Sequence, residues 1–245
     1  MKPKLHFQRK YLPVLAVFAA KDDVRYYLNG FHIKPHPDKG VILTATDGHR
    51  IVTIHDSEGE SNGEYIFPIS KQLLAAAKKT GGLRFPNNRI EIVEDELRIH
   101  CLEDYIDDTR AASKALVVAY VEYINRINGK FPNAGALFEK VKVFPSDKLC
   151  FNAKLLGDLS VIAANQREPV IKMAIQGNEK ALIAIGGFFN EIVAMVMPAR
   201  DEDPLQAIPE FCQFAGHSKQ PDNTEADKNK EAAGKPGRRA VFERR

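Results

Sequence analysis

Asp47 and His49 lie two residues apart, and Ser70 directly precedes Lys71, so the chain holds residue types that elsewhere serve as base and nucleophile. Catalysis needs a third group to orient the base, and neither pair has one. Asp47 and His49 fall within one turn, while Ser70 precedes a periodic apolar run, where its hydroxyl caps a helix. No catalytic residue is assigned, and the chain reads as a non-enzyme. His32 and His36 flank Lys34-Pro35 with no further ligand nearby, so they read as loop histidines. Cys101, Cys150 and Cys212 are odd in number and lack paired ligand spacing, which argues against a disulfide framework and a zinc site. No glycine loop that could cradle phosphate is present, which argues against nucleotide hydrolysis. No metal and no cofactor are expected.

The 245 residues are 44% hydrophobic, enough for a real core in one large or two modest domains. The 35 Lys and Arg are nearly balanced by 32 Asp and Glu, so any grip on nucleic acid has to come from local clustering rather than from net charge. No apolar stretch is long enough for a membrane span, and Met1-Lys2-Pro3-Lys4 leads into no signal-like apolar core, so a cytoplasmic protein is expected. From about Gly216 the composition turns to Lys, Glu, Asp, Ala, Gly and Pro, which predicts disorder.

Before that tail, a short amphipathic helix followed by several strands recurs about three times. The first copy predicts a helix over Lys10 to Ala20, then strands through Tyr27, Phe31, Val41 to Thr46 and Ile51 to His55. In the second, Ser70 caps a helix over Lys71 to Lys79 ended by Gly81-Gly82, with strands at Arg89 to Val93, Glu96 to Leu102 and Leu116 to Tyr123. The third has Asn152 before a helix through Leu155, Leu156, Leu159 and Ile162, then strands near Val170 to Ile175, Lys180 to Ile185 and Ile192 to Met197. Such a repeat suggests one supersecondary unit whose copies bury each other's apolar faces. Asp47-Gly48 is predicted to form the tight turn between the strands on either side.

Two strings, Arg25-Tyr26-Tyr27-Leu28-Asn29-Gly30 and Ala45-Thr46-Asp47-Gly48-His49-Arg50, closely resemble the middle domain of the bacterial DNA polymerase III beta subunit, the sliding clamp. Gly129-Lys130-Phe131-Pro132 is similar to the segment that closes that domain. Phe151-Asn152-Ala153-Lys154-Leu155-Leu156 through Val196-Met197-Pro198-Ala199-Arg200 resembles the second half of the family's last domain. The resemblance implies an α+β, DNA-clamp-like fold of duplicated helix-plus-antiparallel-strand units, with sheets outside and helices on the inner face. It divides the chain into a clamp domain at 1–140, a partial clamp domain at 141–200, and a linker and disordered tail at 201–245. Family members carry three domains and pair into rings. This chain lacks the first domain and half of the last, which points to a phage or mobile-element protein.

The resemblance also implies a peptide-binding pocket. Leu28, Thr46, Gly48, His49, Arg50 and Ile51 would form one wall, Pro132 and Leu137 the junction, and Asn152, Leu155, Val196, Met197, Pro198, Ala199 and Arg200 the other wall. Two buried anchors would contribute at most about 6 kcal/mol, whereas a micromolar complex needs about 8, so backbone hydrogen bonds near Gly48 and Arg50 are expected to help. Departures from the family pattern at Ala136, where a basic residue is usual, and at Leu155, where an aromatic is common, suggest altered partner preference. Arg9, Lys10, Lys71, Lys78, Lys79, Lys154 and Arg167 lie on or near the helices and are expected to meet duplex DNA without reading bases. The implied partners are double-stranded DNA and replication or repair proteins carrying clamp-binding peptides, DNA polymerase among them. The resemblance further allows a clamp loader and a homo-oligomer. The implied function is that of a processivity factor. The competing reading is a non-ring module that binds clamp-motif peptides or regulates a full clamp. Taken alone, the Asp47 to Arg50 turn is equally a plain hairpin, the Val196 run an ordinary last strand, and the helix lysines a solvated face.

Overall fold

Alternation of apolar with polar residues sets the strands, and side-chain caps at Ser70 and Asn152 set where two of the helices begin. The computed structural model describes residues 2–79, 88–94, 96–106, 112–139, 141–142, 149–163, 169–176, 180–187 and 189–199. By internal contacts the chain divides at Pro204. One unit spans Met1–Pro204, and the second, Leu205–Arg245, lies outside the described residues.

The chain opens with strand β1 (Lys4–Gln8), a single 3-10 turn (Arg9–Tyr11) and helix α1 (Leu12–Phe18). A second 3-10 turn (Tyr26–Leu28) leads into β2 (Gly30–Pro35), β3 (Val41–Thr46), β4 (Arg50–Asp56), β5 (Glu60–Ser61) and β6 (Tyr65–Pro68). Helix α2 (Lys71–Lys79) precedes β7 (Arg89–Val93), β8 (Glu96–Ile106) and β9 (Ala112–Tyr123). Helix α3 is a single turn (Gly135–Phe138). Helix α4 (Ala153–Asp158) runs on into a 3-10 turn (Leu159–Ile162), followed by β10 (Lys172–Ala174), β11 (Leu182–Gly186) and β12 (Ile192–Val196).

Two antiparallel sheets result, ordered β5-β1-β7-β8-β9 and β10-β11-β12-β4-β3-β2-β6. The α+β class with helices and antiparallel sheets is as expected. One face of each sheet joins a common core, in which Leu5 and Phe7 of β1, Phe31 of β2, Val52 and Ile54 of β4 and Ala194 of β12 surround Leu12, Leu15 and Phe18 of α1. Phe7 meets Phe31 edge to face at 5.4 Å and so couples the two sheets. Helix α2 starts where Ser70 Oγ accepts from Leu73 N–H at 2.9 Å, and it buries Leu73 and Ala77 beside α1. Asn152 caps α4 in the same way, accepting from Lys154 N–H at 3.0 Å.

Several expectations change. Tyr27 lies in a 3-10 turn rather than in a strand, because the loop around it is folded back by Leu28 N–H donating to Arg25 O at 2.8 Å. Strands β1, β5 and β6 were not anticipated, and β1 sits between β5 and β7 inside its sheet. The hairpin turn is centred on Gly48-His49 rather than Asp47-Gly48. Gly48 alone takes a positive φ, +90°, while Asp47 stays in ordinary backbone space and uses its carboxylate to hold the turn. The turn at Gly81-Gly82 lies outside the described residues.

The outer face of the seven-stranded sheet is not bare. Ile51, Ile183 and Met195 form a second cluster there, covered by Ala134, Phe138 and Val141 of the segment linking β9 to α4. Further along the same face, Phe131 stacks on the His32 ring at 4.8 Å, nearly parallel. A cavity of about 370 Å³ remains between this segment and the sheet, lined by Lys34, Thr44, Thr53, Glu64 and Pro132 among others.

Candidate functional site

The hairpin closing β3 to β4 is held almost entirely by its own side chains. Thr46 Oγ1 donates to Arg50 O (2.6 Å) and accepts from Gly48 N–H (3.1 Å). Asp47 Oδ1 accepts from the N–H groups of His49 (2.9 Å) and Arg50 (3.0 Å), and Asp47 Oδ2 accepts from Arg50 Nε (3.0 Å). The backbone donors of Gly48, His49 and Arg50 are therefore already occupied. The expectation that they would help bind a peptide is corrected: a ligand would have to displace an Asp47 or Thr46 bond to reach them.

Arg50 does more than line a wall. Its guanidinium donates to Asp158 Oδ2 (2.6 Å) in α4 and to Val17 O (2.7 Å) in α1, and it lies over the Phe18 ring at 5.2 Å. With its side chain only 10% exposed, it is a tie between hairpin, helix and core. Arg25 approaches from the other side, donating to Asp47 O at 3.3 Å while bonded to both carboxylate oxygens of Asp23. Those bonds from Arg25 draw the Asp23 carboxyl down to about 2 and push the Arg25 guanidinium higher still.

The end of β12 runs beside this hairpin. Val196 pairs with Arg50 and Met195 with Ile51, and Met197 N–H donates to His49 O at 2.9 Å. Ala199 N–H donates to Cys150 O at 2.9 Å, which brings residues 197–199 next to the segment that enters α4. The structure thus gathers Thr46, Gly48, His49, Arg50 and Ile51 with Val196, Met197, Pro198, Ala199 and the start of α4, residues separated by about 150 positions in sequence.

The accessible apolar surface is less than the sequence suggested. Leu28 is enclosed with Ala20, Ile66 and Phe131 in a cluster of its own. Ile51 is buried beneath the linking segment, and Val196 faces the core with no exposed surface. These three side chains are already buried by the protein itself. Met197 and Leu137, each 54% exposed, remain open, and Leu155 is half-buried against the core. Pro132 lines the cavity at Lys34 and Thr44 instead of the hairpin. Asn152 is exposed and engaged in capping α4. Arg200 lies outside the described residues.

Two features missed in the sequence adjoin the hairpin. Val24 and Tyr26 stand exposed in the Arg25 loop, with the Tyr26 ring 5.8 Å from that of Tyr27, and Met195 packs beside Ile51. Adjacent tyrosines beside a glycine turn were the legible signal. The side-chain parity of β12, which turns Met195 outward and Val196 inward, becomes visible only in the ladder.

The basic residues divide. Arg9 is buried, and its Nη1 donates to Ala77 O at the end of α2 (3.0 Å), so the expectation that it meets DNA is corrected. Lys10 pairs with Glu191 at 3.6 Å and covers the Tyr11 ring. Lys71, Lys78 and Lys154 are exposed. Lys79 ends α2, and Arg167 lies outside the described residues. Among the described residues, no cluster of three His, Cys, Asp or Glu side chains could hold a metal, and no helix is long and apolar enough to cross a membrane.

No family model and no curated protein matches the sequence. Solved structures do resemble the fold. A putative DNA polymerase III beta subunit from Eubacterium rectale superposes with a TM-score of 0.54 at 11% identity, covering 82% of this chain and 66% of that one. The DNA polymerase III beta subunit of Thermotoga maritima gives 0.51 at 11% identity, covering 87% and 67%. A sliding clamp from Pseudomonas aeruginosa, at 17% identity and TM-score 0.48, is covered over 68% of its length. The chain thus spans about two thirds of these proteins, and its likeness to the Eubacterium rectale and Thermotoga maritima beta subunits shows a clamp-like fold.

Proposed function

We propose that this chain is a non-enzymatic, clamp-like replication factor that receives short peptides from replication or repair proteins at the face where the β3–β4 hairpin meets the end of β12. The observation that carries this reading is the Met197 N–H to His49 O bond. It extends the β4–β12 ladder and leaves the exposed Met197 side chain beside the turn. Met is adaptable, which suits a surface that accepts several partners. On this reading residues 1–140 form one clamp domain and 141–200 part of another. Duplex DNA would be met without sequence preference by Lys71, Lys78 and Lys154, and a cytoplasmic location follows from the role. With the turn's backbone donors occupied, two apolar anchors alone limit the affinity to at most about 6 kcal/mol, which corresponds to dissociation constants of tens of micromolar at the tightest.

The test is fluorescence anisotropy of a labelled peptide ending in a Leu-Phe anchor. The expected result is tens-of-micromolar binding, lost at least tenfold in Met197→Asp with the circular dichroism spectrum unchanged. Equal binding by the variant would remove Met197, and with it the proposed face, from the site.

One observation favours the second reading, a module that binds such peptides without encircling DNA. Arg9 and Lys10, two of the expected phosphate contacts, are spent on Ala77 O and Glu191. Retention on closed circular DNA separates the two readings.

A further inference from the structure

The two sheets end very differently. Among the described residues, the outermost strands β5, β10 and β6 are two, three and four residues long, whereas β9, at the end of the five-stranded sheet, runs twelve residues with one edge unpaired. A long open edge offers a row of unused backbone donors and acceptors, and proteins usually keep such edges short or charged.

The free edge of β9 also carries an apolar stripe. Ile99 pairs with Tyr120 and His100 with Val118, so Ala119 is an extra, bulged residue. Without the bulge, Val118 and Val121 would point to opposite faces, because three residues separate them. With it, Val118, Val121 and Tyr123 all stand opposite His100, Arg98 and Glu96 of β8, on the face away from Leu97 and Ile99, where His100 is itself buried and Arg98 and Glu96 are half-buried. They are 48%, 49% and 80% exposed. The inward residues of the same strand are engaged, Glu122 accepting from Ser70 Oγ at 2.9 Å and from Tyr120 Oη at 3.1 Å. The edge is therefore fixed from within and apolar without.

From this we infer that β9 is a self-association edge, pairing antiparallel with β9 of a second copy about a two-fold axis. Antiparallel pairing of identical strands is self-complementary, and within the described residues only another β9 offers an open edge of matching length. Beside the stripe, Arg98 pairs with Glu96 of its own chain at 2.6 Å, and His100 Nε2 lies at hydrogen-bond distance, 2.8 Å, from Glu91 Oε2. At Glu96 and Arg98 a second copy thus meets charges that are already paired, and the two stripes continue across the junction. The inference does not depend on the peptide-binding reading, since the residues involved belong to the other sheet.

Sedimentation equilibrium of the full chain across micromolar concentrations tests it. The expected result is a monomer–dimer equilibrium in which Val121→Lys weakens association at least about tenfold, while the unfolding midpoint measured at concentrations where the chain is monomeric stays put. Tyr123→Lys, at the most exposed of the three positions, reads the same effect should Val121→Lys fold poorly. Met197→Asp should leave association untouched, which separates this outcome from failure of the peptide site. A wild-type monomer throughout the range, or an assembly that both lysine variants leave intact, would overturn the inference.

Discussion

The β4–β12 junction and the β8–β9 edge are built from the same ladder chemistry and reach opposite states. At the first, five residue pairs join segments far apart in sequence, Arg50 ties the hairpin to α4 and α1, and the linking segment covers the outer face. At the second, a longer strand is pinned on its inner face by Ser70 and leaves Val118, Val121 and Tyr123 exposed outside. The difference shows that exposure of apolar residues alone does not mark a binding surface. At the junction the enclosed Leu28, Ile51 and Val196 fix the geometry while Met197 and Leu137 stay open, whereas at β9 the apolar residues themselves are what is presented.

The sharpest way to break the contrast is at the closed junction. Ala194 faces the core opposite Val52, and Ala194→Asp would bury an unpaired carboxylate there. The expected loss is at least about 4 kcal/mol, read as unfolding or a collapsed denaturant midpoint. A smaller loss would mean that β12 docks loosely and that the junction resembles the edge more than it differs from it.

Arg50→Met comes next. It leaves Asp158 and Val17 O without their donor, and because Asp158 is about a third exposed the expected cost is about 2–3 kcal/mol, below that of a fully buried pair. The same chemical denaturation measures it, and Asp158→Asn should cost less, since Arg50 keeps two of its acceptors.

The mildest probe concerns the cover over the seven-stranded sheet. Burial holds the His32 imidazole below its ordinary value of 6.5, outweighing the opposite pull of Glu64. The folded protein therefore binds fewer protons than the unfolded chain in the window just below 6.5, and stability falls as pH drops through it. Denaturant midpoints measured on either side of that window should show the slope, and His32→Gln should flatten it. An unchanged slope would place the proton uptake elsewhere.

Much of this was legible where the signal is local. Ser70 and Asn152 announce their helices because a capping side chain acts within three residues, and the β3–β4 hairpin follows from alternation around a glycine. What stayed hidden depends on distant partners. Arg9 reads as a solvent-facing cation until Ala77 O, sixty-eight positions away, is placed beside it. Leu5 and Phe7 alternate properly, yet five residues next to a proline do not distinguish a strand from a loop. The occupied donors of the Gly48 turn were hidden for another reason: Asp47 was read as a residue that bends the chain, when its carboxylate is what stitches the turn together.

Strand β1 lies between β5 and β7, so its hydrogen bonds are shared with residues 60–61 on one side and 89–93 on the other. During synthesis it has no complete set of neighbours until some eighty further residues have followed. Long-range pairing of this kind slows folding and leaves Leu5 and Phe7 uncovered meanwhile. Trimming or tagging tightly against Lys4 would therefore disturb the interior of a sheet, with consequences for yield during synthesis as much as for the finished molecule.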